Sequence, residues 1–238
     1  MSSTPAYQLY PCGDHAITIT WGNTITEEAN QQVMALYHYL CDRKITGLLD
    51  LVPAYSSLTL VYDLAALIKK NPGRSVYGMM ESQLQEAVGS VALDRDTVRN
   101  RVNIPVCYDL SLAPDLVALS EQHRISVEEV IQIHTSSTYR VYMIGFLPGF
   151  AYMGSVDERI RTARKTSPRT IVPAGSVGIA GEQTGIYPLD SPGGWQLVGQ
   201  TPLRLFDVTR AAPCLLQPGD EVQFCPITLT EFYKLKEA

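Results

Sequence analysis

The residues able to do chemistry crowd into the second half of this sequence. His134 is the most interesting titratable group, because an ordinary pKa near neutrality suits a general acid or base. It falls at the end of an expected helix, on a stripe with Val127, Val130 and Ile131. A structural role there, satisfying carbonyls and gaining from the helix dipole, competes with the catalytic one. From Arg159 to Arg169 stand five cations: Arg159, Arg161, Arg164, Lys165 and Arg169. Such a group can hold a phosphate or carboxylate, or it can be a solvated basic loop. Arg169 is singled out, since Pro168 stiffens its approach and it leads into a strand at Ile171.

Two glycine-bracketed stretches follow, Gly175-Ser176-Val177-Gly178 and Gly181-Glu182-Gln183-Thr184-Gly185. Backbone amides in such turns can face an anion or a carbonyl oxygen. Ser176, Gln183, Thr184 and Tyr187 would add uncharged hydrogen bonds suited to an amide or a small acid; turn chemistry alone is the competing explanation. Trp195, behind Ser191-Pro192-Gly193-Gly194, and Phe146, Phe150 and Tyr152, around Pro148-Gly149, either wall a pocket or meet a partner. Several signatures are missing. None of the six lysines follows a glycine, so there is no phosphate-binding P-loop. G-x-S-x-G, H-E-x-x-H and G-x-G-x-x-G are missing as well. No nucleophile stands out.

The elements that must position these residues can be read from punctuation and period. Ten of the 17 glycines lie between Gly145 and Gly199, with five of the 15 prolines. Interleaved with Val172, Val177, Ile179, Leu197, Val198, Leu203 and Leu205, they describe short strands joined by tight turns. A small barrel with loops gathered over one opening fits that pattern. Ahead of it, Arg101–Tyr108 alternates as a strand. Pro114–Glu121 and a segment from Ser126, with Glu129 completing a capping box, read as helices, and Tyr139–Ile144 as a strand. Glu221–Phe224 reads as a late strand and Thr228–Ala238 as a closing helix. The first part reads β-β-α-β-β-α: strands within Tyr7–Trp21, a helix capped by Thr24 and Glu27, strands at Leu48–Val52 and Leu58–Tyr62, and a helix carrying Leu84, Ala87, Val88 and Val91. That order suggests an α+β domain, with helices on one sheet face, ending near residue 95. The polar run Asp94–Asn100 is the expected boundary.

Composition narrows the class. The 238 residues suit one large domain or two small ones. A formal net charge of -5 argues against a nucleic-acid partner. No apolar run reaches the roughly 18 residues of a membrane span, and MSSTPAYQLYPCGDH lacks the layout of a secretion signal. Five widely spaced cysteines without C-x-x-C speak against a disulfide framework or a structural zinc site, and no metal ligand set is expected. A cytoplasmic location is the simplest expectation.

Three runs carry a family resemblance: HTSSTYRVYMIGFLPGFAYMG, SPRTIVPAGSVGIAGEQTGIYPLDSPGGWQLVGQTP, and PGD-x-V-x-F. With GDHAITI and VPAYSSLTLVYD nearer the start, they resemble the KipI family, also called allophanate hydrolase subunit 1. Its members include the B subunit of bacterial ATP-dependent 5-oxoprolinase. The resemblance implies residues 1–95 as a small α+β domain of ferredoxin-like type and residues 96–238 as a cyclophilin-like β-barrel. It implies a KipA-type (allophanate hydrolase subunit 2) partner and a LamB/YcsF-type subunit, together hydrolysing 5-oxoproline to L-glutamate with ATP, this chain being inactive alone. ATP and its Mg2+ would bind in this chain or in another subunit. There is no biotin-acceptor Met-Lys-Met here, so any biotin would come from another chain. Within the matching motifs His134 and Arg169 are the candidate catalytic residues. Ser176, Gln183, Thr184 and Tyr187 are candidates for substrate binding, and Phe146, Pro148, Phe150 and Trp195 for a pocket or interface. Two other readings stay open: a regulatory binding protein that inhibits a sporulation-type histidine kinase, and a component of a urea carboxylase or allophanate hydrolase system.

Overall fold

Strand alternation and helical stripes build two separate cores. The computed structural model describes residues 7–91 and 100–237. The chain divides into two compact units, Met1–Val98 and Arg99–Ala238. The expected boundary run lies, apart from Asn100, outside the described residues.

In the first unit β1 (Gln8–Pro11) and β2 (Ala16–Thr20) form a hairpin, and β3 (Leu48–Pro53) and β4 (Ser57–Tyr62) a second. They join into one antiparallel sheet in the order β1-β2-β4-β3. Helices α1 (Glu27–Cys41) and α3 (Val76–Ser90) cover it, with a short α2 (Leu64–Lys70) between β4 and α3 that periodicity did not separate. Ile17, Ile19, Leu58 and Leu60 meet Val33, Leu36, Met80 and Leu84, all buried. Two hairpins, each followed by helix, depart from the β-α-β-β-α-β order of a ferredoxin-like domain. The α1 cap also differs. Thr26, not Thr24, accepts the Ala29 amide, which starts the helix two residues later than the capping box implied.

The second unit is a closed barrel. Its strands are β5 (Arg101–Cys107), β6 (Thr138–Ile144), β7 (Ala151–Gly154), β9 (Ser176–Ala180), β10 (Gln183–Ile186), β12 (Gln196–Gln200) and β13 (Glu221–Ile227). They run β10-β7-β6-β13-β5-β12-β9, and β9 pairs back to β10. Among the described strands only β5 and β13 pair in parallel. β8 (Arg169–Val172) and β11 (Ser191–Gly193) form a separate two-stranded ribbon. Helices α4 (Leu116–His123) and α5 (Val127–Ser136) precede β6, and α6 (Leu229–Lys236) closes the chain. Ser126 caps α5 through the Glu129 amide as expected, but a complete capping box occurs at α6, between Thr228 and Glu231. Ile104, Val106, Val141, Met153, Ile179 and Phe224 fill the barrel. A second cluster, with Phe150, Val172, Tyr187, Trp195 and Leu197, lies between barrel and ribbon strands.

The glycines permit this closure. Gly175 has φ +83°, and a Cβ there would collide with the Thr201 carbonyl oxygen. Gly199 lets β12 pass Val106, which an added Cβ would meet at 2.7 Å.

Candidate functional site

His134 and Thr184, far apart in sequence, meet inside the barrel. The imidazole has no exposed surface. Tyr108, Tyr139 and Phe224 surround it, and its ring stacks on Phe224 with centroids 4.6 Å apart. Thr184 Oγ1 donates to the Gly178 carbonyl at 3.0 Å, so it accepts from His134 Nε2–H at 3.1 Å. Nδ1 then accepts from the Tyr108 hydroxyl at 2.8 Å. Both nitrogens are used, and burial pushes the His134 pKa down to about 3. A neutral imidazole sealed in this way has no path for exchanging a proton with a substrate. In this arrangement the imidazole forms a buried polar cluster with Tyr108 and Thr184.

Arg169 is likewise committed elsewhere. Its Nη2 donates to Asp115 Oδ1 at 2.6 Å, and Lys165 Nζ approaches the same oxygen at 2.9 Å. Asp115 Oδ2 accepts the Leu197 amide at 2.7 Å. Asp115 stands at the N-terminus of α4, yet its side chain makes no cap bond, because Oδ1 is drawn to Lys165 and Arg169 and Oδ2 to the Leu197 amide on β12. Burial pushes its carboxyl up, but the hydrogen bonds from Arg169, the Leu197 amide and Lys165 outweigh this and hold it below the ordinary carboxylate range. Arg169 therefore organises this cluster and does not present a free cation. Nothing in the sequence pairs Asp115 with partners 50, 54 and 82 positions away. The only local sign is an aspartate in an N-cap position.

The remaining candidates divide into buried and exposed groups. Phe150, Tyr187 and Trp195 are all buried and meet edge to face, with Phe150 to Trp195 centroids 5.4 Å apart. The Tyr187 ring sits over Gly193, where a Cβ would come within 2.5 Å of the hydroxyl. Ser176 is buried at the start of β9, and its carbonyl accepts the Tyr187 amide at 2.9 Å. Gln183 is half-buried at the start of β10. Phe146 and Pro148 face solvent: Phe146 is 61% exposed, with a left-handed φ of +67° that an aromatic residue rarely adopts. Phe150 and Trp195 thus build the frame, while Phe146 and Pro148 stand outside it.

A cavity of about 380 Å³, broadly open to solvent, lies beside the basic segment, lined by Arg164, Lys165, Thr166 and Ser167 together with Gln122 and Gln196. Its rim is anchored. The Gly181 amide donates to Thr162 O at 2.8 Å, Gln196 Nε2 to Ala163 O at 3.0 Å, and the Lys165 amide to Gly194 O at 2.7 Å. The five cations separate clearly here. Arg159 pairs with Asp157 at 2.9 Å, Arg161 with Glu182 at 2.8 Å, and Lys165 and Arg169 share Asp115. Arg164 makes no ion pair among the described residues, and its guanidinium lies 5.8 Å from the Trp195 ring centroid. Gln122 and Gln196 escaped the sequence reading, since an isolated glutamine carries no motif.

Residues 7–216 match the family described as carboxyltransferase domain, subdomain C and D. The chain is 42% identical over 236 residues to the 5-oxoprolinase B subunit of Bacillus subtilis (strain 168), covering 98% of each chain. It belongs to this family, among the B subunits of 5-oxoprolinases. The 5-oxoprolinase B subunit of Escherichia coli O157:H7 is 36% identical over 219 residues, covering 92% of this chain and 95% of that one. Among solved structures, TTHA0988 is 38% identical and aligns with a TM-score of 0.76 over 89% of this chain. The present chain spans 40% of the length of the TTHA0988 chain.

Proposed function

We propose that this chain is one component of an ATP-dependent 5-oxoprolinase, which cleaves the cyclic amide of 5-oxo-L-proline to L-glutamate and works only in complex. The observation that carries this reading is the 42% identity to the B subunit of a 5-oxoprolinase across 98% of both chains. The partners are a KipA-type and a LamB/YcsF-type subunit, and the compartment is the cytoplasm. The barrel is of cyclophilin-like type. Exposed Phe146 and Pro148 belong to a partner-facing surface, and the strained backbone at Phe146 supports that role.

The reaction asks two things of the protein. A lactam is unreactive towards water, so its oxygen must become a better leaving group; ATP supplies a phosphoryl group for that purpose. Oxyanions, whether phosphate or the substrate carboxylate, then need forked or clustered donors. The cavity beside Arg164 and Lys165 fits that need, since no Asp or Glu lies among its described lining residues. The buried His134–Thr184 pair holds β10 in place, and Arg169 and Lys165, tied to Asp115, hold the loop that forms the cavity rim.

The test is glutamate and ADP release from 5-oxoproline and ATP by the three purified subunits, with and without this chain. The expected result is activity that needs all three. Glutamate formed at an equal rate without this chain would end the enzymatic reading.

A further inference from the structure

We propose that the cavity beside Arg164 binds the oxyanion group of a small molecule, with Arg164 as its principal ligand. Three observations carry this. Arg164 is the one cation of the Arg159–Arg169 segment without a carboxylate among the described residues. Its guanidinium rests near the face of Trp195, and that contact orients the side chain without consuming its hydrogen-bond donors. Beside it, exposed Thr166 and Ser167 line the same cavity, and no hydrogen bond among the described residues occupies their hydroxyls.

The local charge agrees. Asp115 is shared by Lys165 and Arg169, which leaves this cluster net positive before Arg164 is counted. Lys165, whose side chain is 33% exposed, lines the cavity while bound to Asp115. Its position is therefore set before any ligand arrives, which lowers the ordering cost of binding. The open hollow of about 380 Å³ has a volume in the range of small-molecule sites. The rim bonds to Gly181, Gly194 and Gln196 hold the loop to barrel and ribbon strands, so the site is preformed.

The oxyanion has two sources under the proposed function, the carboxylate of 5-oxoproline or a phosphate of ATP. Assigning the ligand to either rests on that function, whereas the site itself does not. The experiment therefore begins with the full chain alone. The indole N–H signals of Trp195 and Trp21 are followed by NMR during titration with sodium phosphate and, separately, sodium acetate, at ionic strength held constant with chloride. We expect a saturable shift of the Trp195 signal with at least one anion and none at Trp21. In Arg164→Ala the midpoint should move up at least about tenfold, the scale for losing a charge-assisted contact. Because Arg164 is exposed, this variant should fold, and its remaining spectrum checks that. Thr166→Val should weaken binding by a smaller factor. A phosphate-selective shift assigns the nucleotide as source, and an acetate-responsive shift assigns the carboxylate. No shift with either anion, or equal titration of Arg164→Ala and the parent, overturns the proposal. If glutamate release proves independent of this chain while the Arg164-dependent shift persists, the site stands and the enzymatic reading alone falls.

Discussion

Two residues show how burial redirects chemistry that residue type alone would suggest. His134 is neutral when folded, with a pKa near 3 against 6.5 when exposed. Between those values the unfolded chain binds a proton that the folded chain does not, so stability falls as pH falls, by about 1.4 kcal/mol per unit. Going from pH 7 to pH 5 should remove about 2 kcal/mol, read as a lower urea midpoint. His134→Gln, which can still donate to Thr184 and accept from Tyr108, should be less stable at pH 7 but lose less on acidification. An equal loss in the variant would contradict the assignment. Asp115 is the second case. Asp115→Asn leaves Lys165 and Arg169 without their shared carboxylate, at a cost of about 3 kcal/mol, because breaking a buried pair strands the partner charge. Combining it with Arg169→Met should recover part of that loss in the same urea titration. Additive losses would mean the two residues do not act through each other.

At the scale of elements, the barrel depends on turns that only glycine can make. Gly175→Ala would place a Cβ against the Thr201 carbonyl at a residue with positive φ, so it should destabilise by about 3 kcal/mol. Gly89→Ala, where an added Cβ meets nothing on α3, should instead be neutral or slightly stabilising. Thermal unfolding of the two variants side by side checks both signs. The α6 capping box makes a smaller claim. Thr228→Ala removes the acceptor for the Glu231 amide and should cost about 1 kcal/mol.

For the whole molecule, the cores of the two units contain no residue in common. Each has its own sheet, and each is long enough to bury a core. Residues 99–238 produced alone should therefore unfold cooperatively and keep the near-ultraviolet circular dichroism of Trp195 in its aromatic cluster. A featureless near-ultraviolet spectrum would show that the barrel needs the first unit. No helix among the described residues is long and apolar enough to cross a membrane.

Much of this architecture was legible in the chain, because it follows from local rules. Alternation marked β2 and β5, apolar runs between turns marked β4 and β6, stripes marked α3 and α5, and the glycine-rich run announced short strands and a barrel. The family was legible too, in runs long enough to be specific. The short α2 helix and the true α1 cap were missed, since neither a seven-residue stretch nor one threonine among neighbours carries a strong periodic signal. Which polar groups end up sealed and which stay open was not legible. Histidine and arginine have the same groups whether sealed or open, and only packing decides which. Tertiary structure enclosed His134 between Tyr108 and Thr184, and it brought Asp115 across 54 positions to neutralise Arg169. It left Arg164 uncompensated beside a cavity, because charge pairing and solvent exclusion act through space and not along the chain.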